Sequence, residues 1–174
     1  MTLDIVRLLL FPALMAFAAA SDMFTMTISN RISLALVAGF LLLAVFGGMS
    51  GQAILMHFGA GLAVLALTFT CFAMGWVGGG DAKLAAATAL WFGFEHLVLY
   101  LAYASVVGGI LTLLILQWRQ WPLPAPLSSQ AWLLRLHEKD GGIPYGIALA
   151  IGALLIYPDT EWMKAIDLAR LAAA

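Results

Sequence analysis

Charge is the scarcest commodity in this sequence. Residues 32–80 contain no Asp, Glu, Lys or Arg at all. Charged residues make up 10% of the whole chain, against about 25% in an ordinary soluble domain. Hydrophobic residues make up 64%, and the mean hydropathy is +1.02. That leaves too little polar surface to cover a water-exposed globule, so a soluble domain is excluded. Cysteine is nearly absent too. Cys71 stands alone, which rules out an internal disulfide and a CxxC-type zinc ribbon. No basic cluster occurs and the formal net charge is −1, which argues against a nucleic-acid partner. Internal repeats and low-complexity tracts are missing as well.

What is present is a series of long apolar runs. They are continuous rather than alternating, which excludes a membrane β-barrel and leaves helices as the means of satisfying the backbone in lipid. The expected fold is an all-α, polytopic transmembrane helix bundle of about six spans, forming a single domain over residues 1–174. The spans are placed near 4–21, 32–46, 53–77, 83–92, 95–118 and 143–157. Residues 82–118 are too long for one crossing and short for two, and Gly93 is the expected break. Ala18-Ala19-Ala20 resembles a signal-peptidase site, but the residues before it lack an excess of positive charge, so the first run reads as a membrane helix. Residues 120–142, with three prolines and Arg135, Lys139 and Glu138, form a polar connection. Residues 161–174 read as an amphipathic tail lying in the membrane interface, with Trp162, Ile166 and Ala169 on one face.

Arg31, Lys83, Arg119, Arg135 and Lys139 all fall in odd-numbered connections, while the even-numbered ones hold no Lys or Arg. Positive residues mark the cytoplasmic side. The first, third and fifth connections, and the 120–142 segment with them, are therefore expected to face the cytoplasm.

Against this background two acids stand out. Asp22 and Asp81 each lie where an apolar run meets a connection, with two expected crossings between them. That arithmetic returns both carboxyls to one membrane face. Taken singly, each has a plain reading: Asp22 as a helix-end carboxylate at the water boundary, and Asp81 as the N-cap of the helix that follows Gly78-Gly79-Gly80. Lys83 could pair with either acid or extend its ammonium to the interface. Taken together, the acids suit different chemistry. Two carboxyls in one desolvated site do not both ionise readily, so they share a proton. The carboxylate takes a proton from water while its protonated partner polarises a scissile carbonyl. Such a pair needs no cofactor, metal or nucleophilic side chain. His57 and His96, in apolar surroundings and without a second histidine at ligand spacing, read as packing residues, and Glu95 as marking an outer turn.

Three blocks of sequence then carry a resemblance. They are Asp22 with Thr27-Ile28-Ser29-Asn30-Arg31-Ile32, Gly78-Gly79-Gly80-Asp81-Ala82-Lys83-Leu84, and Ile143-Pro144-Tyr145-Gly146. Together they resemble the type IV prepilin peptidases, a family of GxGD aspartic peptidases, and among these the short form that serves Flp-type (tight-adherence) pili. The resemblance implies Asp22 and Asp81 as the catalytic pair and Gly78 and Gly80 as the glycines of GxGD. Asn30, Arg31, Lys83, Pro144, Tyr145 and Gly146 would be supporting motif residues. It implies an endopeptidase of the bacterial inner membrane that removes the leader of prepilin or pseudopilin substrates at the cytoplasmic face. Many relatives read Ile-Pro-Asn where this chain has Ile28-Ser29-Asn30. The cysteine-rich zinc insertion of the longer, methylating members has no counterpart here. Two other classes fit the same composition: a small proton-coupled membrane transporter, and a non-catalytic scaffold subunit of a pilus or secretion machine.

Overall fold

The computed structural model describes residues 2–124 and 126–166. Every regular element in it is helical: α1 (Thr2–Thr25), α2 (Asn30–Phe46), α3 (Gly51–Ala73), α4 (Gly79–Trp118), α5 (Ala131–His137), α6 (Tyr145–Ile156), a 3₁₀ turn (Tyr157–Asp159) and α7 (Glu161–Lys164). Helices α1, α3 and α4 are long and apolar enough to cross a membrane, while α2 and α6 are shorter apolar helices. Leu9, Phe17, Leu55, Val98 and Leu113 point outward and are more than half exposed. In water such a surface would drive aggregation; in lipid it is the solvated face. The protein is an all-helical membrane bundle.

The helix starts follow local chemistry. Ser29 caps α2, its side chain accepting from the Arg31 N–H at 3.3 Å, and Ser50 caps α3 by accepting from the Ala53 N–H at 3.2 Å. The serine that departs from the Ile-Pro-Asn pattern thus supplies a cap that proline could not. The expected break at Gly93 is present. It sits inside α4 with φ 58° and ψ −170°, a backbone region open essentially to glycine alone. The His57 ring lies against that glycine, and its Nδ1 is 2.7 Å from the Leu90 carbonyl oxygen that the break leaves behind. His57 therefore does packing work at a helix interruption, in keeping with its sequence reading.

The centre of the bundle is α4, packed chiefly on α3 and α6. Lipid is as apolar as leucine, so burial of apolar surface gives little drive to helix pairing; close packing of small residues does more. The first half of α4 accordingly buries Ala82, Ala85, Ala86, Ala87 and Ala89. One end of the bundle is filled by aromatics: Phe11 stacks on Tyr157 at 4.5 Å and lies 4.9 Å from Trp91. Trp91 donates to the Leu36 carbonyl and Trp162 to the Trp91 carbonyl, at 2.9 and 2.8 Å. Of the tail, Glu161–Lys164 is helical and Trp162 is buried against Phe40 and Trp91. Its continuation, with Ala169, lies outside the described residues.

Candidate active site

Asp22 occupies the last turn of α1. The helix stops three residues later because Met26 takes a positive φ of 54°, and the Met26 N–H closes the turn onto the Asp22 carbonyl at 2.8 Å. The hydroxyls of Ser21 and Thr25 bind the Thr27 carbonyl and hold the turn shut. Asp22 is consequently folded inward and is 6% exposed. Its Oδ2 accepts a 2.7 Å hydrogen bond from the Gly146 N–H, at the start of α6. Gly146 is free to donate because the first backbone N–H groups of a helix have no partner within it. Pro144 is the N-cap residue of α6, so the Ile143-Pro144-Tyr145-Gly146 block serves to aim one N–H at one carboxylate.

Asp81 is not the N-cap of its helix. The cap position is Gly78, which has no side chain to offer, and Asp81 stands in the first turn of α4. Its carboxyl turns back toward the cap, with Oδ2 lying close to Gly78. Asp81 thus holds the position from which the acid of a capping box reaches back to the start of its helix. A methyl group on Gly78 would stand 2.8 Å from Asp81 Oδ2. A methyl on Gly80 would meet Ile28 Cβ at 3.1 Å and its backbone N at 3.4 Å, so Gly80 lets α4 press against the connection after α1. Ile28 in turn touches the Cα side of Gly146. One buried isoleucine thus sits between the two glycine-containing motifs and keeps the helix ends in register.

The result is a cavity of about 670 Å³ into which both carboxyls open, walled by Met26, Trp76, Val77, Thr112, Ile143 and Tyr145. The two acids are near enough for their charges to interact. Asp81 Oδ1 is buried there with no hydrogen-bond partner. Two carboxyls lining one cavity, one of them anchored by α6, can between them orient and deprotonate a water molecule.

The remaining sequence-selected residues stand around this cavity in different ways. Tyr145 lines it, with its ring seated on Gly108 of α4 and its hydroxyl 3.5 Å from the Ala104 carbonyl. Lys83 pairs with neither aspartate: its Nζ donates to Asn30 Oδ1 at 2.9 Å, tying α4 to α2. Position explains this, because Lys83 follows Asp81 by two residues and so projects from a different side of the helix. Arg31 is exposed on α2.

Two residues important to the cavity were read from sequence only as markers of orientation. Arg119, at the end of α4, is 6% exposed and donates to the carbonyls of Leu136, Gly141 and Gly142 at 2.8, 3.0 and 2.8 Å. Arg135 on α5 donates to the Phe24 carbonyl at 2.8 Å, beside a Phe24–Trp132 edge contact. Between them, these arginines strap the connection after α4 onto the end of α1 and carry Gly142 and Ile143 into the cavity wall. No sequence signal marks them, since their acceptors are backbone carbonyls. Arg119→Gln removes most of this clamp; at about 1.5–3 kcal/mol for a hydrogen bond to a charged group, the strap should come loose. Limited proteolysis should then cut between residues 120 and 142 in the variant well before it cuts the parent.

A family model described as the type IV leader peptidase family matches residues 9–113, which is more than half of the chain. The matched stretch includes both aspartates. No curated protein and no solved structure matches the chain.

Proposed function

The chain belongs to the type IV leader peptidase family, and we propose that it is a membrane-embedded aspartic endopeptidase that removes leaders from prepilin-like substrates at the cytoplasmic face of the bacterial inner membrane. Asp22 and Asp81 act as the dyad. The observation that supports this reading is the one cavity that both aspartates line.

The chemistry follows from the arrangement. The two carboxyls hold one proton between them. The ionised member takes a proton from a bound water, whose oxygen attacks the scissile carbonyl. The protonated member hydrogen-bonds to the carbonyl oxygen as charge develops there. Collapse of the tetrahedral intermediate expels the amine, which is protonated by the acid formed in the first step. The pair, rather than either residue alone, owns the acid and base roles. The hydrogen bond from Gly146 fixes one carboxylate so that the geometry is set before substrate arrives. The wall of Met26, Trp76, Val77, Ile143 and Tyr145 limits bulk water around the reacting bond.

Orientation rests on the positive residues. Asn30, Lys83, Arg119 and Arg135 make their contacts at the same end of the bundle as Asp22 and Asp81. Placing that end in the cytoplasm satisfies the positive-inside preference. A substrate helix in the same membrane would then bring its cytoplasmic extension to the cavity without leaving lipid.

The test is cleavage by purified protein in proteoliposomes carrying a prepilin-type substrate, with the new N-terminus read by mass spectrometry. Cleavage at one position, undiminished by metal chelation, is the expected result. Proton flux without cleavage would favour the transporter reading, and the absence of both the scaffold reading.

A further inference from the structure

A second concavity lies on the opposite side of the start of α4, between α2, α3 and α4, with a volume of about 430 Å³. It is separate from the carboxylate cavity: Asp81 lines that one, and Lys83 lines this one. Its floor is made of small residues, Gly61, Ala86 and Ala87, and its rims of Leu34 and Leu62, both more than 60% exposed. It therefore opens sideways, into the region where the bundle meets acyl chains.

The polar end of this groove is unusual. Lys83 does not extend away from the protein; its ammonium is held over the groove by Asn30. Asn30 is neutral, and among the described residues no carboxylate lies within ion-pair distance of Lys83 or of the neighbouring Arg31. One cation thus stands at the rim of the groove without a counter-charge. Beside it Ser33 lines the groove, 9% exposed, with its hydroxyl buried and without a hydrogen-bond partner. An apolar trough capped by an unneutralised cation and an unused hydroxyl has the chemistry of a phosphate ester attached to a hydrocarbon chain.

We propose that this groove binds an anionic phospholipid, its phosphate on Lys83 and one acyl chain lying along Gly61, Ala87 and Leu90. A free phosphate would leave the apolar trough unfilled. A zwitterionic lipid would bring its own cation to a site that already has one and, among the described residues, no carboxylate to receive another. A bound lipid here would brace α2 against α4 through the same Lys83–Asn30 contact that adjoins Asp81, and so stabilise the framework of the carboxylate cavity from behind.

The experiment uses the full-length protein in mixed vesicles containing a trace of phosphatidylglycerol with a diazirine in its acyl chain. After illumination, labelled peptides are mapped by mass spectrometry. Labels are expected at residues lining the groove, and competition by unlabelled phosphatidylglycerol should exceed that by phosphatidylcholine. With a basic residue near an anionic lipid surface contributing to attraction, Lys83→Gln should weaken labelling about five-fold. Ser33→Ala should weaken it less. A Val37→Trp variant, which fills the groove without touching Lys83, should abolish labelling there while labels elsewhere on the bundle persist. The idea fails if phosphatidylcholine competes equally, or if the Lys83→Gln variant labels like the parent. It fails too if a prepilin-type substrate displaces the label, because the groove then belongs to the substrate helix. None of these readouts depends on peptidase activity, so the proposal stands or falls apart from the functional one.

Discussion

Asp22→Asn and Asp81→Asn are each expected to lower leader removal by about 10²–10⁴-fold, the range that a positioned acid or base supplies. Asparagine keeps the shape and some hydrogen-bonding capacity but can neither carry the shared proton nor accept one from water. At Asp22 the Gly146 N–H still finds an amide oxygen, so the 2.7 Å contact and the docking of α6 survive. At Asp81 the amide has the same shape and fits the same space against Gly78. The variants should therefore insert, fold and resist protease as the parent does, while failing at the chemical step. Because the two carboxyls work as a unit, the double variant should be scarcely worse than either single one. A multiplicative loss would mean that the residues act separately. The measurement is single-turnover cleavage of a prepilin-type substrate, with enzyme in excess, so that binding and product release do not mask the loss.

Gly146→Ala is expected to cost about one to two orders of magnitude in the same single-turnover rate, although the substitution adds one methyl group. That methyl would stand 2.8 Å from Ile28 Cδ1, 2.9 Å from Asp22 Oδ2 and 3.1 Å from Asp22 Cβ. Real carbon atoms do not approach so closely, so something must shift. Ile28 is wedged between Gly80 and Gly146 and cannot retreat freely. The Asp22 carboxyl is then pushed from its place or α6 is lifted, and in both cases the hydrogen bond that orients Asp22 is lost. A displacement of about 1 Å at a reacting group is enough for a roughly hundred-fold effect. Helix propensity works the other way, since alanine is the better helix former by up to about 1 kcal/mol. The variant should for this reason lose rate with little loss of thermal stability. A fall in melting temperature that accounts for the lost activity would reduce Gly146 to a packing residue.

Much of this was legible in the sequence, and the reasons are physical. Absence of charge over 32–80 forces membrane helices, and some helix boundaries coincide with residues that cap or break helices. Ser29 and Ser50 cap, and Gly93 adopts a conformation closed to other residues. That Asp22 and Asp81 line one cavity agrees with the parity argument, since α2 and α3 between them lead the chain away and back. What parity could not give is contact. The Lys83–Asn30 bond, the Arg119 clamp and the Arg135–Phe24 bond join parts of the chain far apart in sequence, and two of the three end on backbone carbonyls, which every residue possesses. The short helix Ala131–His137 was hidden for a similar reason. It is too brief to show a period, and it is held by Trp132 and Arg135 against α1 rather than by its own propensity. The N-cap alternative for Asp81 arose because Gly-Gly-Gly-Asp reads as a helix stop followed by a cap. In the structure the helix begins inside the glycine run instead, which is what turns the carboxyl back over the cavity.

The central claim is that residues 22 and 81 face each other across one small site, and cross-linking in native membranes tests it most directly. With Cys71 replaced by alanine, cysteines are placed at 22 and 81, and a bifunctional thiol reagent of short span is added. A second pair, at 30 and 83, serves as the control, since Lys83 Nζ and Asn30 Oδ1 are 2.9 Å apart. The account predicts intramolecular cross-links in both pairs, with the 22–81 link suppressed when a prepilin-type substrate fills the cavity. A cross-link at 30–83 with none at 22–81 would contradict it.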